Sequence, residues 1–164
     1  MSQEEGSRAA GRTRRSQASV PTGNMAGVTK NLERIQGELQ AALDAFVMGN
    51  PEPYKRLWSH SEDVSLMGAF GGRVTGWTAV ADRLDRAASQ YQGGSYEEFE
   101  IIAASCGAEL AYMVWLEAIS SLGSGGDQMI RRRRATQVFR LESGEWRIVH
   151  QHSDPLVQVQ LPGS

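Results

Sequence analysis

The sequence has 164 residues, of which 40% are hydrophobic and 22% charged, and its formal net charge is -2 at pH 7. This length suits one domain with a hydrophobic core and is short for two. The slightly acidic charge argues against a nucleic-acid-binding domain, which usually presents a basic surface to phosphates.

Residues 1–30 have no apolar periodicity and carry a charge of +3, which leaves -5 for the rest of the chain. Such a segment buries too little apolar surface to offset the entropy lost on ordering, so we expect a disordered basic tail. We expect one domain at residues 31–157 and a flexible C-terminus at residues 158–164. The single cysteine excludes an intrachain disulfide, and no apolar run approaches the roughly 20 residues that cross a bilayer. These features are typical of a cytoplasmic protein without a membrane partner.

The first part of the domain has helical spacing of its apolar residues. This spacing predicts a first helix over residues 32–47, closed by a glycine, an asparagine and a proline. A short second helix is predicted at residues 53–58, where a proline suits the first turn. A short strand at residues 64–67 and a glycine-rich connection then lead to a third helix at residues 77–92.

After the third helix the sequence alternates as strands do. The predicted strands are 96–105, 109–120, 128–141 and 145–153. Helices first and a meander of long strands afterwards predict an α+β fold, in which a curved, mostly antiparallel sheet packs against about three helices.

The predicted strand at residues 111–119 is apolar on both faces. One face has Met113, Trp115, Glu117 and Ile119, and the other has Tyr112, Val114, Leu116 and Ala118. Helices can cover one side of a single sheet, so a second copy of the chain is expected on the other side, as a homodimer. The alternative is a monomer in which the chain termini cover that face.

The last predicted hairpin contains a distinctive motif. Residues 134–140 (RATQVFR) and 143–153 (SGEWRIVHQHS) resemble the R-x-T-x-V-[FW] … G-x-W-x-I-x-H-x-H-x-S ending of SnoaL-like and kinase-association-like members of the nuclear transport factor 2-like superfamily. Residues 66–77 are similar to the G-x-x-x-G-W lead into the third helix of that family.

This resemblance covers roughly residues 31–157 and implies a cone-shaped pocket between the sheet and the helices. The superfamily includes ketosteroid isomerase, SnoaL-type polyketide cyclases and the association domain of calcium/calmodulin-dependent kinase type II. It therefore implies a fold rather than a function, because enzymes, binding modules and assembly domains share this architecture.

His150, His152 and Asp154 are spaced by two residues, which places them on one strand face together with Trp146 and Ile148. One interpretation is an acid–base unit at the end of the pocket, in which His152 or Asp154 moves a proton. Another interpretation is that the histidines only donate hydrogen bonds to neighbouring strands.

Alternating histidines could also bind a metal ion. His60 and Cys106 are the only other imidazole and thiol, so no third and fourth ligand is evident. The glycines at residues 71, 72 and 76 are not followed by the Lys-Ser/Thr of a phosphate-binding loop. We therefore expect neither a metal nor another cofactor.

Four consecutive arginines, residues 131–134, fall within one predicted strand, so they alternate between its faces. Most are expected to form ion pairs with glutamates of adjacent strands. One is expected to face the pocket and bind an anionic ligand group. The resemblance assigns this role to Arg134, at the R-x-T position; if Arg134 faces outward, Arg133 and Gln137 take it over.

Glu117 lies among apolar side chains on its predicted strand face. A carboxylate in such surroundings either pairs with a cation or has a raised pKa, which suits a general base. Pairing with an arginine of the adjacent strand and a catalytic role both remain open.

The remaining candidates are residues expected to contact a ligand at the pocket or its mouth. They are Tyr54, Trp58, Met67, Phe70, Trp115, Arg134 and His150. The alternative for the apolar members is ordinary core packing.

Three functions are consistent with the sequence. The first is a protein that binds a small apolar or partly anionic molecule. The second is a cofactor-independent isomerase, cyclase or hydratase, in which His152 with Asp154 or Glu117 shuttles a proton. The third is an oligomerisation domain.

Overall fold

The computed structural model describes residues 25–91, 93–122 and 126–157. The elements in chain order are α1 (Met25–Val47), α2 (Glu52–Leu57), β1 (Ser65–Met67), β2 (Arg73–Thr75), α3 (Trp77–Ala88), β3 (Ser95–Cys106), β4 (Leu110–Leu122), β5 (Gln128–Glu142) and β6 (Glu145–Pro155). Helix α1 begins at Met25, before the predicted domain start at residue 31. The rest of the predicted tail and residues 158–164 lie outside the described residues.

The strands form one six-stranded sheet in the order β2-β1-β6-β5-β4-β3. All neighbours are antiparallel except β1 and β6, which run parallel. The chain thus crosses from the hairpin β1–β2 through α3 to the far edge of the sheet and returns by a meander. This confirms the predicted α+β class with a mostly antiparallel sheet.

The core lies between the helices and one face of the sheet, which we call the inner face. Helix α1 contributes Leu39 and Val47, and α3 contributes Val80, each at most 1% exposed. From the sheet, Trp115 and Ile148 are buried to the same degree. No helix among the described residues has both the length and the apolar character needed to span a membrane.

A β-bulge in β6 decides which of its side chains face the core. Val138 pairs with His150, but Phe139 pairs with Ile148, so Val149 is an extra residue. An extra residue reverses the alternation of side chains beyond it. Before the bulge Ile148 faces inward, and after it Gln151 and Ser153 take up the inner face.

The end of α1 approaches the start of β3 through a close backbone contact at Gly94. The Gly94 N–H donates a 2.8 Å hydrogen bond to the Val47 carbonyl oxygen. A Cβ atom on Gly94 would lie 2.9 Å from this oxygen and 3.0 Å from the Ser120 carbonyl oxygen. Any other residue would therefore force the helix away from the sheet.

Gly94→Ala is expected to destabilise the protein by about 1–3 kcal/mol, because the added methyl group overpacks a contact made by two backbone oxygens. Gly37→Ala is the matched control: Gly37 lies within α1 with nothing near its Cβ position, so alanine is expected to stabilise by about 0.5–1 kcal/mol. Urea unfolding measures both. Equal effects of the two changes would contradict the close-contact account.

Candidate functional site

A cavity of about 70 Å³ lies between the helices and the inner face of the sheet. This volume is space for roughly five water molecules. All three helices and five of the six strands contribute to its wall. Its apolar part includes Leu43, Phe46, Leu66, Leu84 and Trp115, and its polar part includes Tyr54, Tyr91, Glu117, Arg133, Gln151 and Ser153.

A buried ion pair lies in the sheet wall of the cavity. Glu117 in β4 is directly opposite Arg133 in β5, and Arg133 Nε lies 3.0 Å from Glu117 Oε1. The Nε–H is not directed at this oxygen, so the contact is electrostatic rather than a hydrogen bond. Trp115 Nε1 donates a 2.7 Å hydrogen bond to the other carboxylate oxygen, and Arg133 Nη2 donates one of 2.9 Å to the Tyr91 hydroxyl.

Burial determines the titration of this pair. Removal of Glu117 from water raises its pKa, although Arg133 and the Trp115 hydrogen bond act in the opposite direction. Glu117 is therefore paired with an arginine of the adjacent strand, as one of the two interpretations predicted, and its pKa is also raised.

A second polar cluster, of Tyr54, Gln137 and Gln151, joins α2 to β5 and β6. The Tyr54 hydroxyl donates to Gln151 Oε1. Gln137 Nε2 donates to the Tyr54 hydroxyl and, over 2.8 Å, to Gln151 Oε1. Burial, followed by the charge of Glu117, raises the pKa of Tyr54 far above its usual range. Tyr54 is therefore a neutral hydrogen-bonding group here.

Besides Arg133 Nε, two further buried polar atoms near these clusters lack a hydrogen-bond partner within the described part of the chain. They are Gln137 Oε1 and Trp58 Nε1. Because a buried polar atom without a partner is costly, these atoms favour a polar group or a water molecule at this end of the core.

The predicted acid–base residues are divided between the two faces of the sheet. Glu117 lines the cavity, whereas His152 and Asp154 lie on the opposite face, which we call the outer face. The prediction that they share a face with Trp146 and Ile148 is wrong, because the bulge intervenes. The catalytic roles of His152, Asp154 and Glu117 stay predictions.

Arg134 also faces outward. Its Nε and Nη2 donate hydrogen bonds of 2.6 and 3.0 Å to the two carboxylate oxygens of Asp154, and this pairing lowers the pKa of Asp154. Arg133 and Gln137, which the sequence analysis named as the alternatives to an outward-facing Arg134, lie on the inner face.

His150 contacts the edge hairpin of the sheet. Its Nδ1 lies 2.8 Å from the Ser65 Oγ. Burial, with a smaller effect of His152, lowers the pKa of His150.

The residues predicted to contact the apolar part of a ligand do not all line the cavity. Tyr54, Phe70 and Trp115 line the cavity, with Phe70 at its mouth. Trp58 is 1% exposed and packs edge-on against Tyr54 with ring centroids 6.3 Å apart, so its contacts are those of a core residue. Met67 is 37% exposed on the outer face, next to His152.

Several wall residues were not predicted from the sequence. Gln151 and Ser153 follow the bulge, which strict alternation does not reveal. Tyr91 lies just beyond α3, in a segment that the sequence analysis assigned to the helix. Within the described ranges, no three His, Cys, Asp or Glu side chains form a group that could hold a metal ion.

Comparison with known families and curated proteins gives one match. A family model described as "SnoaL-like domain" matches residues 35–158. A search of curated proteins found no match to the sequence.

Solved structures with the same fold have low sequence identity to this chain. A nuclear transport factor 2-like superfamily protein from Salmonella enterica serovar Typhimurium is 17% identical, with a TM-score of 0.69 over 83% of this chain and 97% of that chain. A candidate dehydratase of the NTF2-like family from Streptomyces avermitilis is 20% identical, with a TM-score of 0.67 over 79% and 99%. The CaMKII association domain from C. elegans is 17% identical, with a TM-score of 0.59 over 78% and 98%.

Glu117→Gln is expected to lower the free energy of unfolding by about 3–5 kcal/mol, because it leaves the Arg133 charge buried without a counterion. Combining Glu117→Gln with Arg133→Met removes both charges and is expected to recover most of the loss. Urea unfolding of the two single variants and the double variant measures the coupling. Additive losses would show that the two charges do not depend on each other.

Arg133→Met alone is expected to change the pH dependence of stability. Without the cation the pKa of Glu117 rises further, so the native state holds its proton more tightly than the unfolded chain does. The free energy of unfolding should then fall as pH rises above the ordinary glutamate pKa of about 4.3. The double variant, which lacks this carboxylate, is the control and should not show the added decline.

Proposed function

The chain belongs to the SnoaL-like domain family, and from this premise we propose that its cavity binds a small molecule with an apolar body and a polar group. The observation that carries the proposal is the buried Glu117–Arg133 pair in the cavity wall. A core built only for stability favours apolar contacts here, since apolar side chains of similar volume are as stabilising as a buried ion pair or more so. A pair beside a cavity instead presents donors and an acceptor to a ligand.

The rest of the wall supports this proposal. Leu43, Phe46 and Leu84 provide an apolar surface from the helices. Gln151 and Ser153 provide polar groups on the opposite side, from the sheet. A ligand that fits both would be amphipathic and small.

The second candidate function is a proton-transfer enzyme in which Glu117 is the acid–base group. Of the three predicted acid–base residues, Glu117 is the one that lines the cavity, and its pKa is raised. The candidate dehydratase among the structural neighbours makes a reaction of the isomerase, cyclase or hydratase class reasonable. Proton NMR of each bound small molecule after incubation with the protein tests this: signals of a new product, an isomer included, support the enzyme, and an unchanged spectrum supports binding alone.

Ala135→Leu tests the binding proposal by filling the cavity, which Ala135 lines from β5. A ligand that binds the native state raises the melting temperature. Short-chain carboxylic acids and alcohols are therefore expected to raise it for the original chain and to lose this effect in Ala135→Leu. Ala41→Leu, at an exposed position on α1 that does not line the cavity, should keep the shift. A shift of equal size in Ala135→Leu would place binding elsewhere.

We also propose that the outer face of the sheet mediates a homodimer. Val114 and Leu116 are half-buried there, and Leu110 and Tyr112 on the same face of β4 are 56% and 41% exposed. Contiguous exposed apolar surface of this kind favours a protein partner. Structural neighbours described as association domains support a self-associating face.

Leu116→Lys places a charge in the centre of this outer face and is expected to raise the dimer dissociation constant about tenfold or more, because burial of the ammonium group is costly. Met48→Lys, at an exposed apolar position away from the sheet, should leave it unchanged. Sedimentation equilibrium measures both. A monomer at high micromolar concentration before any substitution would refute the dimer.

A further inference from the structure

We propose that the ligand is an amphipathic anion whose carboxylate or phosphate binds outside the cavity, in an arginine-lined groove at its mouth. This inference rests on the proposed function, since it describes how the cavity and the groove share one ligand. The apolar end of that ligand would pass Phe70 and Tyr91 and enter the cavity.

The groove is larger than the cavity and adjoins it. It has a volume of about 980 Å³. Phe70, Arg83, Ala87 and Tyr91 line both spaces. A single extended molecule can therefore occupy the cavity and the groove together.

The groove has a strong positive charge. The described residues that line it include Arg83, Arg86 and Arg131 and no carboxylate. Arg83 Nη2 donates a 2.7 Å hydrogen bond to the Gly71 carbonyl oxygen, and Arg131 Nη1 donates one of 2.8 Å to the Ser121 hydroxyl. These acceptors are neutral, so they hold the guanidinium groups in place without cancelling their charge.

Other arginines of the protein have carboxylate partners. Arg132 pairs with Glu98, Arg134 pairs with Asp154, and Arg140 pairs with Asp63. Unlike these three, the groove arginines have no carboxylate partner within the described part of the chain, so no side chain there neutralises their charge. An anionic group of the ligand would fill this role.

Charge balance inside the cavity places the anion in the groove rather than beside Arg133. The charge of Arg133 is already matched by Glu117, 3.0 Å away. A second anion there would leave two negative charges and one positive charge buried together, and an unmatched buried charge is strongly unfavourable. The neutral end of the ligand adds no charge beside the pair.

Exposed apolar side chains occur beside the groove arginines. Phe70 is 61% exposed and Leu122 is 52% exposed, and both line the groove. Such side chains would cover the apolar carbons next to the anionic group. The cavity itself, with space for roughly five water molecules, would take a chain of about five or six carbon atoms.

Hexanoate, hexyl phosphate and hexan-1-ol are suitable probes, since they share one chain and differ in the head group. Isothermal titration calorimetry is expected to show tighter binding of the two anions than of the alcohol. Each of the variants Arg83→Gln, Arg86→Gln and Arg131→Gln should raise the dissociation constants of the two anions about threefold to tenfold and leave that of hexan-1-ol unchanged. Arg34→Gln, an exposed arginine on α1 that does not line the groove, is the matched control. Added salt should weaken the binding of the two anions and leave the binding of hexan-1-ol unchanged.

The outcomes separate the two proposals. Equal affinity for hexan-1-ol and the anions, or no effect of the three substitutions in the groove, would overturn this inference and leave the binding function intact. Failure of all three probes to bind at millimolar concentration would overturn the proposed function as well. Because Arg86 is exposed, Arg86→Gln keeps the test valid if another substitution prevents folding. A preference for hexanoate or for hexyl phosphate identifies the head group and supports the inference in either case.

Discussion

A carboxylate that faces the core of a small domain needs a cation beside it, and the register of β4 and β5 supplies one. Glu117 and Arg133 are opposite each other across two hydrogen-bonded strands. A shift of β5 by one residue against β4 would turn Arg133 to the outer face and bring Arg132 or Arg134 opposite Glu117 instead. The pair thus ties the alignment of the long strands to the chemistry of the cavity, and the Trp115 and Tyr91 hydrogen bonds extend this link to the chain beyond α3.

Much of the fold followed from patterns that act over short distances. The spacing of Leu39, Leu43 and Val47 predicted α1, and the long alternating runs predicted the four strands of the meander. Helix ends were less predictable, because Tyr91 continues the apolar pattern of α3 although the helix ends at Ala88. Helical spacing shows which side chains face the core and does not show where backbone hydrogen bonding stops.

The candidate site was only partly predictable for a similar reason. The sequence placed Glu117 on an apolar face and named an arginine of the adjacent strand as its partner, and both statements depend on strict alternation within one strand. Assigning Arg134 to the pocket failed because the face of β5 depends on its pairing with β4. The bulge at Val149 leaves no mark in the pattern, since residues 146–154 alternate as well in the sequence as any regular strand.

That bulge also bears on how related proteins with different chemistry could arise. Loss of Val149 alone would leave His150 opposite Val138 and every side chain beyond it on its present face. Flattening the bulge with all residues kept would instead bring Val149 opposite Val138, turn His150 and His152 towards the cavity and turn Gln151 and Ser153 away from it. The extra residue thus keeps imidazole groups out of the cavity wall, and a slip of β6 by one residue would exchange an amide- and hydroxyl-lined wall for one with titratable groups.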